Sequence, residues 1–455
     1  MKKIIYPAIV LFAAAALLPV KTHAQNTLFD GKTLKGWKRL AGTADYKVED
    51  GQIVGTTVLN SGNSFLVTEK EYGNFILELD AKIESNLSNS GVQTRSHYDP
   101  AGHEGKGKVY GRQFEIDPSV RKWTGGIYDE GRRDWLYPLD LNAKAKDAFK
   151  VGVFNHIRIE CIGNEMKTWI NGIPAADVVD TIDQKGFIAL QVHAVSKKEQ
   201  AGKKVYFKNF NLQTTNLKPK PFPKDVYVVN LQPNSLTPAE KAAGWKLLYD
   251  GKTNTGWRGA TLKAFPNKGW EYARGTMHVL PSAGKEESGG GDIVTNDNYS
   301  AFDLSFEFKL TPGANSGVKY FVTLKEITEG SAIGLEYQVL DDKLHPDAKL
   351  GRDGDRTLAS LYDLIKANKQ ERFVHPIGSW NTGRVVVYPN NHVEHYLNGV
   401  KVLEYDRGSK AYRDLVAISK YKVWKNFGEA PQGHLLLQDH GNEAFFRNIK
   451  IKNLK

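Results

Sequence analysis

A ten-residue stretch occurs twice in this chain. Residues 28–37 read LFDGKTLKGW and residues 248–257 read LYDGKTNTGW, with seven positions identical. So close a match at such a distance marks an internal duplication, and the fold must be one that about 200 residues can complete and then repeat. The register extends in both directions. Residues 46–55 align with 270–279, 89–92 (NSGV) with 315–318 (NSGV), and 169–172 (WING) with 396–399 (YLNG). Near the ends, 186–193 (GFIALQVH) align with 433–440 (GHLLLQDH), and 207–210 (FKNF) with 446–449 (FRNI).

Within each copy the apolar residues alternate over short runs bounded by Gly, Asn and Asp, which is strand patterning with close turns. Asn-Gly at 171–172 and 398–399 predicts a two-residue hairpin, because both residues tolerate positive φ. Few helical periods occur. The chain is therefore expected to be all-β: two tandem jelly-roll β-sandwiches joined by a connecting segment. The expected divisions are a leader (1–24), a first sandwich (25–213), a linker (214–244) and a second sandwich (245–455). The linker opens with LKPKPFPK, an extended, semi-rigid sequence. It then offers Thr237 as N-cap, Pro238 at N1, Glu240 at N3 and Gly244 as terminator, which predicts one short capped helix.

Lys2 and Lys3, an apolar run over 4–20 and Thr22-His23-Ala24 have the form of a secretory signal peptide cut after Ala24. Export to the periplasm or the extracellular space is expected, with no membrane span. The formal charge of +11 is spread along the chain. With no basic helix or nucleic-acid motif, a nucleic-acid partner is not expected. Cys161 is the one cysteine, so no internal disulfide can form. It shares a strand face with Ile157 and Ile159 and is expected in the core.

Strand alternation sorts the polar side chains into faces. In the first copy Gln93 and Arg95 fall together, as do Gln113, Glu115 and Asp117, and Ala189, Gln191 and His193. Tyr128, Arg132 and Arg133 follow in a loop rich in glycine. In the second copy the counterparts are Lys319, then Glu336 and Gln338, then Gln438 and His440. Such faces are ordinarily solvated in an antiparallel sandwich. Here Gln-His recurs at one place and a Glu/Gln pair at another, which favours a concave polar groove. Residues 341–355 hold several Asp residues and a His, but their spacing fits no standard cation loop. There is no nucleophile elbow, zinc motif or phosphate loop. A glucanase on such a sandwich would continue Glu-Xaa-Asp-Xaa-Xaa-Glu. Val120 stands at the last position in the first copy, and the second reads Glu336, Gln338, Asp341. A conventional glycoside hydrolase is therefore disfavoured. A sugar-binding sandwich without chemistry stays open, with Trp123, Tyr128 and Trp135 as stacking surfaces.

Taken together, LFDGKTLKGW, NSGV, GLEYQVLDD (334–342), LYD (361–363), LNG (397–399), LLQDHG (436–441) and FFRNI (445–449) resemble the 3-keto-disaccharide hydrolase family. This family is also described as 3-keto-glucoside 1,2-lyase/3-keto-2-hydroxyglucal hydratase. The resemblance covers both copies. It implies a concanavalin A-like jelly roll, an exported enzyme, and a glycoside or oligosaccharide substrate oxidised at C3. The implied chemistry is removal of the C2 proton, β-elimination of the C1 oxygen and hydration of the resulting enone. In the first copy this nominates Glu115 or Asp117 as base and His193 as acid–base partner or metal ligand. Arg95, Gln113, Tyr128, Arg132, Arg133 and Gln191 would bind substrate. In the second copy Glu336, Asp341 and His440 are the catalytic candidates, with Lys319, Gln338, Tyr362 and Gln438 as binding residues. The enolate needs a cation or strong donors. A divalent metal ion would serve, although no motif requires a cofactor. The copies differ: the second reads Glu-Tyr-Gln where the first reads Gln-Phe-Glu, and Phe321 stands where the first has Arg95.

Overall fold

Each strand places its branched and aromatic residues on alternate positions, and the chain buries that side by stacking one sheet on another. The structure, a computed structural model, describes residues 28–282, 290–324, 327–328 and 331–455; the expected leader lies outside the described residues. The first copy has a seven-stranded sheet in the order Trp37–Leu40, Ser64–Tyr72, Gly186–Val192, Ser90–Asp99, Lys108–Ile116, Ile127–Glu130, Asp134–Tyr137. Behind it lies an eight-stranded sheet whose centre is Asn155–Ile162, Phe75–Ile83 and Lys204–Gln213. Phe114, Ile116, Ile188 and Leu190 of the first sheet meet Leu77, Leu79, Ile157 and Ile159 of the second in one core. Cys161 is fully buried in that core, as expected, and burial raises its thiol pKa.

The second copy repeats the plan. Its five-stranded sheet runs Trp257–Gly259, Ile293–Thr295, His434–Leu437, Asn315–Val322, Leu335–Leu340. The sheet behind it is built around Ala444–Asn453, Phe302–Leu310 and Asn381–Val387. The all-β, two-sandwich jelly-roll fold expected from the sequence is the fold observed. One helix beyond that expectation, Lys410–Ile418, buries Tyr412. Among the described residues no helix is long and apolar enough to cross a membrane.

Local signals act as their chemistry dictates. Asn171 and Gly172 have φ of 49° and 82°, and Asn398 and Gly399 have 49° and 81°, the positive pair a tight hairpin requires. Each turn asparagine also donates to an asparagine at the start of a strand, Asn171 to Asn155 at 2.9 Å and Asn398 to Asn381 at 2.8 Å. The linker helix Pro238–Ala242 has the full capping box between Thr237 and Glu240.

The linker is more than a tether. Val229–Asn230 adds a parallel edge strand to Ile173–Val179 of the first copy. Asn234 Oδ1 accepts from Asn448 N of the second copy at 2.7 Å. Tyr227 accepts from Tyr137 Oη through its carbonyl at 2.9 Å and donates its own hydroxyl to Ser305 at 3.0 Å. The connecting segment thus bonds to both sandwiches.

Candidate functional site

Two strands give the site its floor. In the antiparallel ladder Gln93 stands opposite Gln113, and Gly91 opposite Glu115. A Cβ on Gly91 would lie 2.3 Å from Gln113 Cδ, so the glycine makes room for that amide. The side chains then form a chain. Ser96 Oγ donates to Gln93 at 2.6 Å, Gln93 to Gln113 at 2.8 Å, and Gln113 to Glu115 at 2.6 Å. Asn89 donates to the other Glu115 oxygen at 2.6 Å. On the far side Gln191 and Asn63 donate to Glu130 at 3.2 and 3.1 Å. Gln113 and Gln191 meet at 3.4 Å, which joins the two carboxyl groups through a pair of amides.

These groups are not solvated. Gln93, Gln113, Glu115 and Gln191 are all buried and, apart from Gln93, they line a cavity of about 300 Å³. The cavity also takes in Tyr128, Glu130, Trp135 and His193. Removal from water is the dominant influence on both acids. It pushes Glu115 up to about 8 and Glu130 up to about 7, against the lowering effect of their amide donors. Burial lowers the His193 pKa. Its Nδ1 lies 2.6 Å from the Ala194 carbonyl. A carbonyl only accepts, so Nδ1 carries the proton and Nε2 is the basic nitrogen.

The walls are aromatic and cationic. Trp135 packs edge-on against Trp123 and Tyr128, with centroids 4.8 and 5.4 Å apart. The Arg121 guanidinium lies over Trp123 and is held by Asp117 at 2.6 Å. Arg372 and Phe373 complete the lining from the second copy. Phe373 packs on Trp123 at 5.4 Å, and Arg372 makes no ion pair with any described residue.

The sequence-derived candidates divide accordingly. Gln113, Glu115, Tyr128, Gln191 and His193 come together. Arg95 does not join them. The strand bulges between Thr94 and His97 and Arg95 takes φ 47°, which breaks the alternation that put it beside Gln93. Its fully buried guanidinium bonds the Gly73 and Gly163 carbonyls and Asn74 instead. Asp117 lies beyond the strand end and does not line the cavity; it holds Arg121, and its charge favours the protonated forms of Glu115 and His193. Arg132 is tied to Asp129 and Asp183, and Arg133 to Asp129 and Asp180, so both stand outside the cavity as structural pairs.

Asn63, Arg121, Glu130, Asp134, Arg372 and Phe373 also line the cavity and are not among the sequence-derived candidates. The glycine-rich stretch that holds Tyr128 and Glu130 reads as a loop, yet Ile127–Glu130 is a strand. Alternation along it would have placed Glu130 with Tyr128. Arg372 and Phe373 arrive from the other copy, which no local pattern announces.

The second copy holds the same frame with different groups. Lys319 stands opposite Glu336 and Gly317 opposite Gln338. Burial raises the Glu336 pKa, and Lys319, Lys420 and His440 oppose the rise. The Tyr362 ring lies 4.2 Å from the Lys420 ammonium, and its backbone donates to the Glu336 carbonyl at 3.1 Å. Gln338 Nε2 and Gln438 Oε1 are buried without a hydrogen-bond partner among the described residues. Asp341 is not part of this group: its carboxylate accepts from the backbone of Gly313, Lys343 and Leu344. In the 341–355 loop, Asp347 pairs with Arg356 and His345 accepts from the Asp347 amide. Among the described residues the one cluster with metal-ligand geometry is His392, Glu394 and Glu404. It lies on the other sheet, and Glu394 there is already bound by Tyr388, Tyr396 and Lys401.

Residues 24–213 and 244–452 each match the 3-keto-alpha-glucoside-1,2-lyase-like domain family. The chain belongs to that family. The motif resemblance noted in both copies is thereby sustained. A 3-keto-disaccharide hydrolase of Bacteroides thetaiotaomicron is 38% identical over 234 residues, which span 47% of this chain and 79% of the relative. A solved structure from Parabacteroides distasonis, provisionally called a glycosyl hydrolase, is 31% identical, with a TM-score of 0.43. It covers 49% of this chain and 100% of its own. The carbohydrate-binding module CBM66 of Bacillus subtilis is 18% identical, with a TM-score of 0.27, and covers 39% of this chain and 95% of its own.

Proposed function

We propose that this protein is an exported enzyme that cleaves glycosides oxidised at C3, and that the cavity of the first copy does the chemistry. The observation that carries this is the pair of buried carboxyl groups, Glu115 and Glu130, joined by Gln113 and Gln191 on one cavity wall. Family membership supports the choice of substrate class.

A ketone at C3 acidifies the hydrogen on C2. Glu130, the earlier of the pair to ionise, takes that proton. The C2–H electrons form the C1=C2 bond, and the C1–O bond breaks with its electron pair on the leaving oxygen. Glu115, protonated up to about pH 8, gives that oxygen its proton. Negative charge developing on the C3 oxygen faces the cations Arg121 and Arg372. Water then adds across C1=C2, hydroxyl to C1 and hydrogen to C2, which completes net hydrolysis. His193 Nε2 is the base for that water. Trp135 and Phe373 give the ring its apolar contact.

The test is incubation with a 3-keto-glucoside while enone absorbance and released aglycone are followed. Wild type should turn over the keto substrate and leave the unoxidised glucoside intact. Full turnover by both E115Q and E130Q would remove the assignment. Equal cleavage of plain glucosides would mark a conventional glycosidase, and binding without turnover a sugar-binding module.

A further inference from the structure

A second and larger cavity, about 440 Å³, lies where the two sandwiches meet. Asp134 and Trp135 line both cavities, so one wall separates and serves the two. Asp134 accepts from Tyr128 Oη at 2.7 Å, which fixes that wall to the inner site. The far side of the cleft belongs to the second copy, chiefly His375, Ser379 and Trp380, with Tyr227 from the linker between.

The arginines and the lysine lining this cleft are already paired. Arg384 is paired with Asp303 at 2.7 Å, Arg447 with Glu307 at 2.5 Å, and Lys450 with the buried Glu240. Arg132 and Arg133 are neutralised by Asp129, Asp180 and Asp183. A cleft whose cations are all paired has no electrostatic preference for an anion. Its half-buried tryptophans, Trp135 and Trp380, and its hydroxyl and amide groups suit a neutral, polyhydroxylated or aromatic ligand.

We propose that this cleft is the leaving-group subsite, where the sugar or aglycone attached to the C1 oxygen lies while the 3-keto ring occupies the inner cavity. This rests on the function proposed above and deepens it. The second copy then sets what the first copy cleaves. Ser379 is exposed and lines the cleft but not the inner cavity, so S379W adds bulk to the cleft alone.

The experiment compares kcat/KM for phenyl and methyl 3-keto-glucosides, both anomers, in wild type and S379W. The ratio between variant and wild type cancels the intrinsic difference between the two leaving groups. The phenyl substrate should lose at least about ten-fold while the methyl substrate stays within about two-fold. Equal loss for both, or loss for neither, overturns the proposal. Failure of wild type to turn over either substrate removes the functional reading instead. Calorimetry with unoxidised cellobiose, maltose and methyl glucosides then decides the subsite. At least one disaccharide should bind wild type more tightly than its methyl glucoside, and S379W should erase the difference. Disaccharides that bind no better than the methyl glucosides, or that bind S379W as well as wild type, overturn it.

Discussion

Replacing Glu115 by glutamine should make the protein more stable, and increasingly so as the pH rises. Burial moves this carboxyl from 4.5 to about 8. In the folded protein Glu115 therefore holds its proton over a range where the unfolded chain has released it. Its contribution to stability is complete below pH 4.5 and is lost as the pH climbs toward 8. At about 1.36 kcal/mol per pH unit, the displacement amounts to about 5 kcal/mol as an upper limit. Part of it belongs to the pair, because Glu130 ionises first and opposes the second charge. The neutral amide of E115Q escapes this loss. Its NH2 group needs an acceptor where Gln113 or Asn89 now donates, and the proton of Glu115 makes the same demand, so the two are close at low pH. Urea denaturation followed by tryptophan fluorescence, from pH 4 to pH 9, measures the difference. E115Q and wild type should be close near pH 4. The variant should gain steadily to pH 8 and level off above it. A difference that stays constant from pH 5 to 8.5 would refute the buried, protonated acid.

Four further outcomes follow from the same geometry. The kcat/KM of wild type for a 3-keto-glucoside should be bell-shaped with limbs near pH 7 and 8, and E130Q should lose the acidic limb. R372A, which removes a cation supplied by the second copy, should lower kcat by about 10²-fold and leave thermal unfolding unchanged. G91A should cut kcat/KM by at least about ten-fold with normal circular dichroism, since its methyl group would displace Gln113. T237A should lower stability by about 1 kcal/mol in denaturant titration without affecting turnover, because it removes only the cap of the linker helix.

The elements that chemistry dictates locally were legible in the sequence. Asn-Gly at 171–172 and 398–399 must turn, Thr237 to Glu240 must cap, and Cys161 must face inward with Ile157 and Ile159. Glu115, Gln113, Gln191 and His193 were also legible, because alternation along two strands, carried one residue past the end of the second, points them one way. Legibility ended where alternation ended. At Arg95 a single left-handed residue reverses the face, and the sequence shows no glycine to announce it. Glu130 was hidden because a four-residue strand between Gly125-Gly126 and Gly131 resembles a loop. Arg372 and Phe373 were hidden for a different reason. They reach the first cavity through the packing of one sandwich on another, and nothing in residues 25–213 encodes their arrival. The linker strand Val229–Asn230 was missed likewise, since its pairing partner lies in an edge strand of the first copy.

The cross-strand pairs of the two floors have one more consequence. Where the first copy sets Gln93 against Gln113, the second sets Lys319 against Glu336; where the first has Glu115, the second has Gln338. The acid of the second copy thus stands one pleat repeat from the position it holds in the first, opposite a lysine where the first copy has a glutamine. One pleat repeat is about 6.6 Å, roughly the breadth of a pyranose. A sugar seated alike in both halves would present a different carbon to the acid in each. Duplication has left this chain with two versions of one ladder, the acid standing at a different pleat in each.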